Sequence, residues 1–180
     1  MNFVETIPLL DEILEDWKPV IGEDYQGYRN HCTRMLQCCF ALAQRVSEED
    51  KKKLTIAAAF HDIGIWIDDT VDYIPPSLPP AKAYLEDSNQ KEWLEEIELM
   101  ITEHHKLTAY SRDKYPLVEL FRKADLVDFS LGSIRFGMSK QQVNELKAIL
   151  PNAGFHKMLA GRALKWFLKH PLNPAPMMKW

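Results

Sequence analysis

Nowhere in this 180-residue chain does an apolar run reach the length needed to cross a bilayer, so no membrane helix is expected. The opening residues, Met1 to Thr6, lack the basic segment and apolar core of a signal peptide, and no leader is expected. Cysteine is scarce. Cys32, Cys38 and Cys39 are odd in number and crowded into one predicted helix, which is neither a disulfide framework nor a zinc-finger spacing. Reduced thiols packed in a core fit a cytosolic protein. A basic excess is missing too. Lys and Arg number 22 against 26 Asp and Glu, and a net charge of -4 argues against a dedicated nucleic-acid binder. It leaves room for a nucleotide as a small substrate. Repeats, low-complexity segments and linkers are absent, and the only strand-like stretch is Val71 to Ile74. One domain over residues 1–180 is expected, with an irregular, proline-rich tail from about Pro171.

What is present is helical period. Phe3, Ile7, Leu10, Leu14 and Trp17 mark one buried helix face. A second helix is predicted from Tyr25 to Val46, with Tyr28, Cys32, Met35, Cys39, Leu42 and Val46 inward and His31 beside that stripe. Ser47 to Asp50 reads as a capping box opening a third helix. That helix runs through Leu54 to Phe60 and ends at His61-Asp62, where Ile63-Gly64 breaks it. Pro75, Pro76, Pro79 and Pro80 argue against a long helix in the next segment. Ile65 to Pro80 reads as an ordered loop carrying Trp66, Asp68, Asp69, Asp72 and Tyr73, with a short helix from Ala81 to Glu86 after it. Asp87 to Gln90 can cap a helix with Trp93, Ile97, Met100, Ile101 and His104 inward. Another begins after Tyr115-Pro116 and holds Leu117, Phe121, Ala124, Asp125 and Asp128. Ser139 to Gln142 is a second capping box, and a last helix spans Phe155 to Lys169. The fold class is therefore all-α, a helical bundle.

Within it, His31, the adjacent pair His61-Asp62, and Asp125 are imidazoles and carboxylates. That donor mixture suits Mn, Fe, Co, Ni or Zn better than Ca or Mg. Adjacent helical positions do not point the same way. His61 and Asp62 can still converge on an ion at the helix end, where Gly64 helps the chain turn out. A carboxylate on the inward face at Asp125 is costly to bury unless a cation pairs with it. A salt bridge to Arg122 or Lys123 would also account for it, and Asp128 lies one turn further on. His104 and His105 both follow the inward side of their helix.

These residues resemble the HD superfamily of metal-dependent phosphohydrolases. The resemblance rests on His31 within Tyr28 to Arg34, on His61-Asp62-Ile63-Gly64, and on Asp125 at the end of Phe121 to Asp125, in the order H…HD…D. It selects Asp125, because the family's Asp typically follows a basic-residue-Ala segment like Arg122-Lys123-Ala124. It implies an HD-type bundle and one divalent transition ion held by His31, His61, Asp62 and Asp125. The implied reaction is hydrolysis of a nucleotide or other small phosphate ester through a metal-activated water, with Asp62, His104 and His105 in catalytic roles. Relatives with two metals place well-separated histidines between the HD pair and the last Asp. Here the stretch from Asp62 to Glu103 has none, so a single ion is expected. His105 would face a water or the substrate phosphate, with His104 packed behind it. Arg34, Lys106 and Arg122 are the expected phosphate contacts, with Lys123 and Arg135 as further cations. The expected partner is a small phosphorylated substrate, with no nucleic-acid polymer and no membrane; homo-oligomer formation is open. Two other readings are a di-iron oxygenase of the same fold, which needs six protein ligands, and a non-catalytic metal-binding sensor module.

Overall fold

Helices carry most of the chain in a computed structural model that describes residues 3–43, 45–111 and 114–179. They are α1 (Pro8–Ile21), α2 (Tyr25–Leu42), α3 (Glu48–Phe60), the single turn α4 (Gly64–Ile67), α5 (Ile74–Asp87), α6 (Leu94–Glu103), α7 (Pro116–Phe129), α8 (Lys140–Ile149) and α9 (Phe155–Lys169). No strand forms among the described residues. The expected all-α class holds, and Val71 to Ile74 is not a strand. No helix is long and apolar enough to cross a membrane.

The middle of the bundle is α2. Apart from Arg29, every residue from Gly27 to Cys39 is buried, the polar Asn30, His31, Thr33, Arg34 and Gln37 included. Its main neighbour is α7, with α1 and α3 packed on its other sides. Both predicted capping boxes form. Ser47 and Asp50 satisfy each other's backbone N–H at the start of α3, and Ser139 and Gln142 do so at α8. Some boundaries move. α2 stops at Leu42 rather than Val46. α6 starts at Leu94 after a 3-10 turn, without a side-chain cap.

The proline-rich segment differs more. Ile74 to Asp87 is one helix, although it contains four prolines. Pro75 and Pro76 occupy the first turn, where backbone N–H groups have no intrahelical acceptor and a missing donor costs nothing. Pro79 and Pro80 lie deeper and remove two donors. Burial of Ser77, Ala81 and Leu85, with packing of α5 on α3 and α6, holds the helix regardless. The tail differs as well: although irregular as expected, it folds back. The Leu107 amide donates to the Lys179 carbonyl at 2.9 Å, and Met177 packs on the cluster of Ile65, Tyr73 and Ile74.

Candidate metal centre

Four helices bring six donor residues together. α2 supplies His31 from its middle, the end of α3 and the turn after it supply His61 and Asp62, the end of α6 supplies His104 and His105, and α7 supplies Asp125. All six are buried. His31 Nε2 and His61 Nε2 are 3.0 Å apart. Asp125 Oδ1 lies 3.6 Å from the first and 3.9 Å from the second. Asp62 Oδ2 is 3.3 Å from His61 Nε2 and 3.8 Å from His31 Nε2. His104 Nε2 faces the other Asp62 oxygen, Oδ1, at 3.4 Å, and His105 Nδ1 faces Asp125 Oδ2 at 3.6 Å. Three overlapping triads have the spacing of a metal site: His31, His61 and Asp125; His61, Asp62 and His104; and His104, His105 and Asp125.

The far edge of each imidazole decides what its near edge can do. His31 Nδ1 is 2.7 Å from Asp128 Oδ2, His61 Nδ1 is 2.8 Å from the Ala58 carbonyl, and His104 Nδ1 is 2.6 Å from the Ile101 carbonyl. These partners are acceptors, so each Nδ1 carries the proton and a neutral ring presents a bare Nε2 to the centre. Two bare nitrogens 3.0 Å apart repel in a dry interior. The same separation suits two ligands at about 2.1 Å from one ion, at roughly a right angle. The buried side-chain polar atoms without a hydrogen-bond partner among the described residues are Asp62 Oδ1, His104 Nε2 and Tyr110 Oη, and the first two face each other. A cation satisfies both, so the donor set fits a divalent transition ion.

Protonation points the same way. Burial opposes charge on His61, but the Asp62 and Asp125 carboxylates override it and raise its pKa to about 9. Burial would raise Asp62, yet the neighbouring His61 and His104 hold it well below the usual carboxylate range. Burial pushes Asp125 up, and burial with the adjacent His104 pushes His105 down. The two carboxylates thus favour a positive charge at His61.

His104 and His105 were expected to diverge, and they do not. The helix ends at Glu103, the chain turns, and the two rings use different edges, Nε2 and Nδ1. His104 is therefore not packed behind His105. Asp128, weighed above as an alternative to Asp125, instead supports His31 from behind.

The expected phosphate contacts are engaged elsewhere. Arg34 is fully buried. Its Nε and Nη2 donate to Asp128 at 2.5 and 2.8 Å, and its Nη1 donates to the Leu150 and Pro151 carbonyls. Arg122 is buried, with two 2.7 Å bonds to Glu119 and one to the Lys106 carbonyl. Lys106 lines a pocket with Glu103 and Tyr110 that includes none of the six donors. Lys123 pairs with Glu119, and Arg135 donates to the Gly132 carbonyl.

Two features escaped the sequence reading. Tyr73 places its hydroxyl 2.5 Å from His105 Nε2, and the Phe129 ring lies 5.6 Å from the His105 ring. Both line a mostly apolar cavity of about 270 Å³ that also includes Ile65, His156, Leu159 and Met177. No motif marks Tyr73 or Phe129; only the fold carries them to His105. Gly64 has a different role from the one expected. It opens α4, and a Cβ there would collide with the Tyr73 carbonyl oxygen and crowd Pro76 and Ser77.

A sequence model of the HD domain matches residues 28–130, more than half of the chain and the whole span from His31 to Asp125. This chain belongs to the HD domain family. No curated protein and no solved structure matches it.

Proposed function

We propose that this protein is a metal-dependent phosphohydrolase acting on a nucleotide or another small phosphate ester. The observation that carries the reading is the buried convergence of His31, His61, Asp62 and Asp125, with the two imidazole Nε2 atoms 3.0 Å apart and both carboxylates facing them. His31, His61, Asp62 and Asp125 would hold one divalent ion, from Mn, Fe, Co, Ni or Zn. Such an ion lowers the pKa of a water and polarises a phosphoryl oxygen.

The chain's own residues supply the rest. Asp128 and the Ala58 carbonyl fix the orientation of His31 and His61. Burial of all six donors excludes bulk water and strengthens every charge interaction inside. His105, bonded to the Tyr73 hydroxyl, is placed to hold or move a proton at Nδ1. The cavity beside Tyr73 and Phe129 accommodates the body of the substrate.

One observation favours a second reading. Asp62 presents Oδ2 to His31 and His61 and Oδ1 to His104, and six donors converge, which is the number the di-iron oxygenase needs. The test is a metal-supplemented screen of purified protein against nucleotides and phosphate esters, run with and without oxygen. Phosphate or pyrophosphate release that persists without oxygen is the expected result. Oxygen consumption with no phosphate release would establish the second reading, and neither signal would leave a sensor module.

A further inference from the structure

From residue 146 to the end, the chain carries six Lys or Arg and no Asp or Glu, so the preceding part is far more acidic than the whole. Four of those cations, Lys157, Arg162, Lys165 and Lys169, line one groove of about 540 Å³ along α9, opposite Asp69, Thr70 and Val71. Arg162 is committed, forming a short ion pair with Asp69. Lys157, Lys165 and Lys169 form no ion pair among the described residues. They stand on a single four-residue row of the helix, 157, 161, 165 and 169, and its remaining member is Gly161. A Cβ at Gly161 would meet nothing within 4 Å, so the row stays open. Like charges four residues apart on a helix destabilise it slightly. The carboxylate lining the groove, Asp69, is paired with Arg162.

The groove lies beside the proposed substrate cavity. Thr70, Val71 and Arg162 line both, and the cavity wall continues to Tyr73 and Phe129 against His105. At the other end of the same helix, Phe155 stacks on His31 with ring centroids 4.4 Å apart. Tyr73 and Phe129 thus stand between the His/Asp cluster and the cavity, and the cavity shares a wall with the groove that holds the three lysines. The cations found near the cluster, Arg34 and Arg122, are already bonded within the protein.

We propose that the α9 groove binds a second, distal anionic group of the substrate. This inference rests on the phosphohydrolase reading and narrows its substrate class. The substrate would be an ester with its reacting phosphate at the cluster, an uncharged body in the cavity, and another phosphate or carboxylate on Lys157, Lys165 and Lys169. Lysine ammoniums suit such a group as strongly hydrated point charges, and their reach tolerates variation in ligand length.

The test uses inorganic tripolyphosphate as the probe, in isothermal titration calorimetry at low salt. The proteins are the wild type, Asp62→Ala, the triple variant Lys157→Ala/Lys165→Ala/Lys169→Ala, and the corresponding triple Lys→Arg variant, each checked for helicity. Wild type, Asp62→Ala and the Arg variant should bind alike, and the triple Ala variant at least about tenfold more weakly, as the loss of charged contacts predicts. Metal content should be unchanged in the triple Ala variant. Equal binding by the triple Ala variant, or loss of binding in Asp62→Ala alone, would place the anion elsewhere and overturn the proposal. So would failure of the wild type to bind tripolyphosphate while it binds phosphatidylserine vesicles, since the lysines would then serve a membrane surface. The two readings fail separately. A silent hydrolysis screen with groove binding intact removes the phosphohydrolase, whereas phosphate release with unchanged tripolyphosphate affinity in the triple Ala variant removes the groove.

Discussion

At the scale of single residues, Asp128 holds two things with one carboxylate. Oδ2 accepts from His31 Nδ1 and from Arg34 Nη2, while Oδ1 accepts from Arg34 Nε. The pair with Arg34 is buried on both sides. Removing one partner of such a pair strands a charge and typically costs about 3–5 kcal/mol. Arg34→Ala should lower stability by that order in denaturant unfolding, and Arg34→Met/Asp128→Leu should recover much of it. Equal stability of wild type and Arg34→Ala would show that the pair contributes little. Asp128→Asn should weaken metal binding about 10–100-fold, as loss of a carboxylate behind a ligand imidazole does, with the six donors untouched. Competition against a fluorescent chelator measures it.

The same carboxylate gives a pH dependence. Arg34 and His31 outweigh burial and hold Asp128 well below the usual carboxylate range. A depressed carboxylate stabilises the fold at pH values above its unfolded pKa, about 3.9. That contribution disappears as pH falls towards the lower folded value. The gap in Tm between wild type and Asp128→Asn should therefore be constant from neutral pH to about pH 5 and narrow below it. A gap that widens on acidification contradicts this account of Asp128.

At the scale of elements, the α4–α5 corner places Tyr73. The Gly64 amide donates to Ser77 Oγ, which donates to the Tyr73 carbonyl, and α4 passes so close that only glycine fits. Gly64→Ala should cost about 1–3 kcal/mol by overpacking and should move Tyr73 off His105. A lowered Tm with a helical far-UV spectrum is the expected outcome, and an unchanged Tm would mean the corner yields freely. This corner also marks the limit of what the sequence revealed. Periodicity and a capping box located α3, α9 and the start of α7 within a residue or two, because local pattern and tertiary packing agree there. Only the Ala81 to Glu86 part of α5 is legible as helix, and its first half reads as a loop, because proline is judged by its interior cost. Its first-turn position and the burial of Ala81 and Leu85 depend on neighbours that no local window contains.

At the scale of the whole molecule, the same division applies to the centre. His31, His61, Asp62 and Asp125 could be picked out because their order along the chain is itself the signal. His104 and His105 were visible as inward residues. Their convergence was not, since it depends on α6 ending at Glu103 and on each ring using a different edge. Asp128's place behind His31, and Tyr73 beside His105, arise from helices far apart in sequence. The charge layout is likewise a property of the fold, with an acidic body and a basic α9 beside the cavity.

A ligand bound only by the folded state stabilises it. Chelation should therefore lower Tm, and added metal should restore it, the ion contributing about 2.7 kcal/mol of folding free energy at a hundredfold excess over Kd. Chelator-insensitive melting would argue against an ion in the cluster.

The central claim is that the buried His/Asp cluster is a metal centre, and metal content tests it most directly. Protein purified without chelator is analysed for transition elements, wild type beside Asp62→Ala. The account predicts about one ion per chain in the wild type, from the ligand set His31, His61, Asp62 and Asp125. It predicts a large loss in Asp62→Ala with the helical spectrum unchanged. Occupancy near two would move the centre to the two-ion reading. Wild-type metal content in a folded Asp62→Ala protein would contradict the account.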